Sequence, residues 1–224
     1  MIAPLGEWPL AGAIWYQGES NTGRGNQYQP LMQSLIDGWR ARFGDTIKVL
    51  IVQLPGYGGM PDTPGASGWS EVREAQRQVA LGDPRTGLVV AIDAGDRTDI
   101  HPANKQLIAS RAAAVFNVLS GEQRGYADGL APVSVERSSQ QIILTMPTKD
   151  LKVISHAQPV GFELCTPDNQ CDWANATVSG DEITLASNQV RDPAYVRYCW
   201  GDAPICNLFD HNNLPVVPFQ EAIQ

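Results

Sequence analysis

Residues 10–21, LAGAIWYQGESN, decide how the fold is interpreted. The run from Leu10 to Tyr16 is apolar, and a polar group of residues that contains Gly18 follows it directly. This order is typical of a buried strand that delivers functional groups to its carboxyl end, where ligands bind in open α/β sheets. We call residues 17–21 the first corner.

A second polar segment, residues 96–102, follows another apolar run at residues 88–92, and we call it the second corner. Three strands, each followed by a helix, are predicted in the first half of the chain. The strands are residues 10–16, 47–54 and 86–92, and the helices are residues 28–42, 69–81 and 102–119. We expect Ser70 to cap the second helix. Such units predict a parallel sheet in an α/β fold, with both corners at one edge.

The pattern changes after Gly121, where short apolar segments alternate with turn residues. Strands are predicted at residues 133–135, 142–146, 153–155, 162–164, 183–185 and 196–200. This spacing favours a small antiparallel β-sandwich. We therefore expect an α/β domain at residues 1–125 and a β-sandwich domain at residues 126–224, with residues 125–132 as a linker.

Composition restricts the classes of function. The chain is 43% hydrophobic and 18% charged, which is typical of a globular protein, and it has no apolar run of the roughly 20 residues that a membrane span needs. Its first residues do not resemble a signal peptide. The net charge is -8, and residues 126–224 hold 5 basic and 12 acidic side chains. We expect neither nucleic acid nor membrane as a partner.

Four cysteines lie in the second half of the chain. Cys165 and Cys171 form one neighbouring pair, and Cys199 and Cys206 form another. Two local disulfides are the simplest pairing, although four cysteines permit three connectivities. A zinc site fits the spacing less well, and free buried thiols are the third alternative. Disulfides would indicate an oxidising compartment, so the expected location is periplasmic or secreted.

His101 is the first candidate for chemistry. It lies in the second corner with Asp96 and Asp99, just before a predicted helix. A carboxylate can hold one ring nitrogen and leave the other as a base, and a helix N-terminus favours the neutral ring. A capping or surface histidine is the alternative. The spacing of Asp93 from these three residues matches no metal motif, so we expect no metal.

The first corner offers a complementary set of groups. Gln17 and Asn21 carry amide donors that can stabilise an oxyanion, and Gly18 allows close approach of a ligand to the backbone. Glu19 could orient His101 or hold a substrate hydroxyl. Ordinary turn chemistry, with Ser20 and Asn21 as caps, is the alternative.

These stretches closely resemble the sialate O-acetylesterase family of the SGNH hydrolase superfamily. The resemblance rests on residues 15–21, 52–54, 73–76, 95–105, 196–200, 207–209 and 214–219. It implies a three-layer α/β/α hydrolase with an appended β-sandwich. It also implies removal of acetyl groups from sugar hydroxyls, as in sialic acids or plant polysaccharides, without a cofactor.

The resemblance also implies roles for individual residues. His101 would be the general base, and Gln17 and Gly18 would lie at the oxyanion site. The superfamily usually has an aspartate three residues before the histidine, where this chain has Thr98. Asp99 and Glu19 are therefore both candidates for the acidic partner of His101.

The chain departs from the family at the nucleophile. The Gly-Gln-Ser-Asn motif that carries the catalytic serine is missing, so we expect the C-terminal part of the fold. The strand at residues 10–16 should then be a hydrophobic sheet edge that pairs with an N-terminal fragment or partner chain. Ser20 beside Glu19 is a weaker candidate nucleophile, because His101 would be positioned for the serine of the missing motif.

The expected function is hydrolysis of acetyl esters on sugars by a serine, histidine and acid, with an incomplete set of groups in this chain. The alternative is a non-catalytic carbohydrate-binding or interaction protein. In that case Trp173, Tyr198 and Trp200 could stack on sugar rings, although core packing is their commoner use.

Overall fold

The first half of the chain forms a three-stranded parallel sheet. The computed structural model describes Pro4 and residues 8–224. The strands are β1 (Gly12–Trp15), β2 (Lys48–Val52) and β3 (Thr86–Val89), in the order β1-β2-β3. Each strand leads to a helix, namely α1 (Gly25–Phe43), α2 (Gly68–Leu81) and α3 (Lys105–Leu119). The predicted strand-helix alternation is confirmed, and both sheet pairings are parallel.

Alternate residues of β2 explain the layers. Val49 and Ile51 are buried in a core with α1 and α2, whereas Leu50 and Val52 are buried in a core with α3. Successive side chains of a strand point to opposite faces, so a strand covered on both sides is apolar throughout. The α/β/α arrangement predicted from the sequence is therefore confirmed.

The second half is a β-sandwich of two four-stranded antiparallel sheets, which confirms the predicted fold class. One sheet has the order β4-β5-β10-β9, and the other has the order β13-β11-β7-β8. The strands of the first sheet are β4 (Ser134–Ser138), β5 (Gln141–Thr145), β9 (Asn175–Ser179) and β10 (Glu182–Ala186). Those of the second are β7 (Phe162–Cys165), β8 (Cys171–Trp173), β11 (Tyr195–Tyr198) and β13 (Phe219–Ala222). The strands β6 (Lys152–Val153) and β12 (Leu208–Phe209) form a small separate pair.

Two disulfides hold the second half. Cys165 is bonded to Cys171 and Cys199 to Cys206, as the simplest pairing predicts. The first bridge joins β7 to β8, whose three residues were not predicted as a strand.

Several sequence-based details are wrong. Helix α2 begins at Gly68 and its cap is Ser67, whose hydroxyl accepts from the Ser70 N–H at 3.1 Å. The Ser70 hydroxyl instead accepts from the Gly201 N–H at 2.7 Å. The second corner precedes a helix that begins at Lys105 rather than at residue 102, with Asn104 as its cap.

The two halves are joined by backbone and buried polar contacts. The Leu88 N–H in β3 donates to the Ala127 carbonyl at 2.7 Å, so the predicted linker runs along the sheet. Val217 lies in the core of α1 and α2. Arg77 of α2 donates to Glu221 of β13 at 2.7 Å. The division of the chain at residue 125 stays a prediction. None of the helices in residues 8–224 combines the length and apolar character needed to cross a bilayer.

Candidate active site

Hydrogen bonds from neighbouring helices hold the backbone of the first corner in place. It continues from β1 into a 3-10 turn, Glu19–Asn21, in which the Asn21 N–H donates to the Gly18 carbonyl at 2.8 Å. The Gln17 carbonyl accepts from the Tyr28 hydroxyl at 2.7 Å and from Gln76 Nε2 at 3.2 Å. Helices α1 and α2 therefore both hold the backbone at this corner.

Gly18 is required by packing against helix α2. A Cβ atom at this position would lie 2.9 Å from Val72 Cγ1 and 3.3 Å from Gln76 Nε2. The residue is buried, so the close approach is to the protein interior. The Gly18 N–H donates to Glu19 Oε2 at 2.8 Å. An oxyanion that used this N–H would have to displace the Glu19 carboxylate.

The polar side chains of the first corner differ in their partners. Gln17 Nε2 donates to Asn21 Oδ1 at 3.1 Å, so these two amides form a pair. Glu19 raises the pKa of Tyr16 as a second cause after burial, which places its negative charge near that ring. Ser20 is exposed, and its carbonyl accepts from Arg24 at 3.0 Å.

The second corner is exposed and shaped by its aspartates. Asp96 Oδ1 accepts from the Thr98 N–H and hydroxyl, both at 2.8 Å, and these bonds lower the pKa of Asp96. Asp99 Oδ1 accepts from the His101 N–H at 2.8 Å and lies 4.0 Å from His101 Nδ1. The His101 side chain is 89% exposed. Asp99 thus contacts the His101 backbone and stays beyond hydrogen-bond distance of its ring.

The two corners lie at the same edge of the sheet. Lys105 Nζ, at the start of α3, lies 4.8 Å from the centroid of the Tyr16 ring. The loop after β2 reaches the second corner, because the Gly58 N–H donates to the Arg97 carbonyl at 3.0 Å. Among the described residues, no hydrogen bond or ion pair joins His101 to Glu19 or Ser20. Glu19, Ser20 and His101 therefore share an edge without forming a connected set.

Arg73 is a supporting residue that sequence reasoning missed. It is completely buried, and its guanidinium donates to the carbonyls of Leu54 at 2.9 Å, Gly201 at 2.7 Å and Asp202 at 2.6 Å. Burial lowers the pKa of Arg73 to about 9, although the Asp202 charge opposes this. The available signal was its place on the apolar side of α2, one residue after Val72.

The candidate groups face open solvent. Four depressions in the described part of the chain have volumes of about 580, 750, 400 and 250 Å³. None of these four is lined by His101, Asp99 or Glu19. Ser20 and His101 are exposed at the corners and lie outside these four depressions, whereas small-molecule sites are usually concave.

Strand β1 is an edge of the sheet. Within residues 8–224 it pairs only with β2, and its Ile14 side chain is 61% exposed. The Tyr16 hydroxyl, just beyond the strand, is buried without a hydrogen-bond partner among those residues. The hydrophobic edge expected from the sequence is present in the described structure.

Comparisons with known proteins identify the class and then the family. A crystal structure of a carbohydrate acetylesterase from Xanthomonas citri matches with a TM-score of 0.87 and 33% identity, covering 99% of this chain and 52% of that one. This likeness places the chain among the carbohydrate esterases. The family described as "Carbohydrate esterase, sialic acid-specific acetylesterase" matches residues 3–114, and the chain belongs to that family.

Curated relatives agree with this assignment. Sialate O-acetylesterase from Mus musculus is 31% identical over 250 residues, which cover 98% of this chain and 46% of that protein. Sialate O-acetylesterase from Homo sapiens is 29% identical over 249 residues, covering 98% and 47%. The chain thus spans about half the length of these relatives. The family predicted from the sequence is confirmed.

Proposed function

We propose that the chain forms the C-terminal part of a carbohydrate O-acetylesterase that cleaves acetyl esters on sugar hydroxyls. The observation that carries the proposal is the placement of the first corner and His101 at one carboxyl edge of a parallel sheet. Family membership and the related names support the same class of reaction.

In the proposed mechanism His101 is the general base. A serine hydroxyl loses its proton to His101 and attacks the acetyl carbonyl, which gives a tetrahedral oxyanion. Collapse releases the sugar hydroxyl, which takes the proton from His101, and leaves an acetyl-serine. Water activated by His101 then releases acetate. Asp99 or Glu19 would orient the ring.

The oxyanion donors are proposed at the first corner. Gln17 Nε2 donates one hydrogen to Asn21 Oδ1, so its second hydrogen and the Asn21 amino group are the donors that remain. The Gly18 N–H would contribute once Glu19 releases it. Ser20 would lie near the substrate as a binding residue.

The nucleophilic serine is proposed to come from a segment that pairs with the free edge of β1. Adjacent parallel strands lie about 4.8 Å apart, so such a strand would end beside the first corner. It would also cover Ile14, which is exposed at that edge.

The alternative function, carbohydrate binding without catalysis, finds little support in two of the three aromatic residues considered for it, whereas Trp173 is partly exposed. Tyr198 is fully buried between Phe162 and Phe219, and its hydroxyl accepts from the Leu208 N–H at 3.1 Å. Trp200 is 6% exposed. The two disulfides support the proposed periplasmic or secreted location.

The test joins this chain to the N-terminal half of the Xanthomonas citri acetylesterase and measures acetate release from O-acetylated sialic acid and acetylated xylo-oligosaccharide. We expect the chimera to release acetate and the His101→Ala variant to lose about 1,000-fold or more of the rate. Ser34→Ala, at an exposed position of α1 away from both corners, is the matched control and should retain full activity. Full activity of the His101→Ala chimera would refute the role of His101. A serine-reactive probe that labels Ser20 in this chain alone would refute the proposed source of the nucleophile.

A further inference from the structure

A polar groove of about 750 Å³ lies between the helices and the β-sandwich, beside the candidate active site. Asn26 and Gln29 of α1 and Gln78 of α2 line one wall. Asn169, Arg197 and Gln220 of the second half line the other wall. Five of these six side chains are carboxamides, which both donate and accept hydrogen bonds.

Arg197 orients the side chains of the groove wall that the β-sandwich forms. This side chain is 7% exposed, and its guanidinium lies 4.4 Å from the centroid of the Trp200 ring. Its Nε donates to Gln220 Oε1 at 2.9 Å, and its Nη2 donates to Asn169 Oδ1 at 3.0 Å. Both amide oxygens therefore face the buried cation. Their two amino groups are left as oriented donors on the groove wall.

The helical wall has the opposite arrangement. Gln78 Nε2 donates to Glu74 Oε1 at 2.6 Å, which leaves Gln78 Oε1 as an acceptor. Glu74 also accepts from Arg77, so its charge is balanced within the helix. The oriented donors on one wall and the Gln78 acceptor on the other suit a ligand whose groups both donate and accept, and vicinal sugar hydroxyls have this property.

Charge disfavours an anionic ligand. Glu71 also lines the groove and would oppose an anion, while Arg197 is buried behind its amide partners. The groove also includes Gly23, two residues after the first corner in the sequence, so it begins near the candidate active site. A chain of sugars held at the first corner could extend directly into it.

We propose that this groove binds neutral, unacetylated sugar units of the oligosaccharide that carries the acetyl ester. The assignment of the ligand rests on the proposed esterase function, but the binding itself does not need catalysis. The groove would select substrates by the sugars next to the acetylated unit.

The test measures binding of lactose and xylotriose to the 224-residue chain by saturation-transfer NMR and titration. We expect binding in the millimolar range for at least one of them, weakened about tenfold or more by Asn169→Ala and by Gln78→Ala. Gln140→Ala, a change at an exposed turn in the sandwich, is the control and should bind as the parent chain does. Thermal unfolding confirms that each variant is folded.

Three results would overturn the proposal. They are absence of binding for both sugars, unchanged affinity in both groove variants, and binding of an acidic oligosaccharide such as a glucuronic acid trimer in preference to the neutral ones. None of these bears on acetate release by the chimera. A chimera that fails to release acetate while the chain still binds sugar would refute the esterase proposal alone.

Discussion

Glu163 should make the protein less stable as the pH rises through neutrality. The residue lies in β7 and is completely buried, and neither carboxylate oxygen has a hydrogen-bond partner among the described residues. Its nearest cation is Arg197, whose Nη1 lies 4.0 Å from Glu163 Oε2. Burial raises the pKa of Glu163 from 4.5 to about 7, although the Arg197 charge opposes the shift. The folded protein therefore holds this proton more tightly than the unfolded chain does.

The magnitude follows from proton linkage. The difference between 4.5 and about 7, at about 1.4 kcal/mol per pH unit, corresponds to about 3 kcal/mol. This contribution is fully present below pH 4.5 and is lost as the pH rises through about 7. Glu163→Gln removes the titration and keeps the shape of the side chain. At pH 8 we expect the variant to be more stable by up to about 3 kcal/mol, or about 6–12 °C in melting temperature.

The assay is urea unfolding followed by tryptophan fluorescence at pH 4.5 and pH 8. At pH 4.5 the two proteins should agree within about 0.5 kcal/mol, because Glu163 is then protonated in the folded state. Glu136→Gln, at an exposed position in β4, should show no such dependence on pH. If Glu163→Gln is less stable than the parent at pH 8, the carboxylate and Arg197 form a stabilising ion pair and the reasoning is wrong.

Two further predictions concern the support of the first corner. Gly18→Ala should destabilise by about 1–3 kcal/mol, because the new Cβ would lie 2.9 Å from Val72 Cγ1. Thermal unfolding checks this, and Gly59→Ala, where the added atom meets nothing within 4 Å, should be nearly neutral. Arg73→Lys should destabilise by about 3 kcal/mol or more, since one ammonium cannot serve all of the carbonyls that the guanidinium holds. Urea unfolding measures this effect, and a loss no larger than that of the exposed Arg24→Lys would contradict it.

The fold of the first half could be predicted because its signals are local. Each strand is an apolar run long enough to be covered on both faces, and β2 supplies both cores with alternate residues. The second half is less regular. The strands β8, β9, β12 and β13 were missed. The strands β8 and β9 contain no continuous apolar run, although each pairs with a neighbouring strand. The strands β12 and β13 are short and pair with strands distant in sequence. Gln220 of β13, for example, pairs with Arg197 of β11.

The corners could be located from the sequence, but what holds them could not. His101 and the first corner follow apolar runs, which is a pattern visible without a structure. Arg73 and Gln76 have the composition of a solvated helix face. Arg73 is buried because Gly201 and Asp202, more than a hundred residues away, supply carbonyls that satisfy it. The place of Arg73 on the apolar side of α2 is visible in the sequence, but contacts over such a separation are not.

The exposed edge of β1 and the open site have one physical explanation. The edge leaves Ile14 in solvent, and the Tyr16 hydroxyl beyond it is buried without a partner among the described residues. A parallel strand added there would cover Ile14 and bring backbone groups toward the Tyr16 hydroxyl. Its carboxyl end would lie next to Gly18, at the edge that also carries His101. The same addition would therefore extend the sheet and supply the position from which a nucleophile could reach His101, the proposed base.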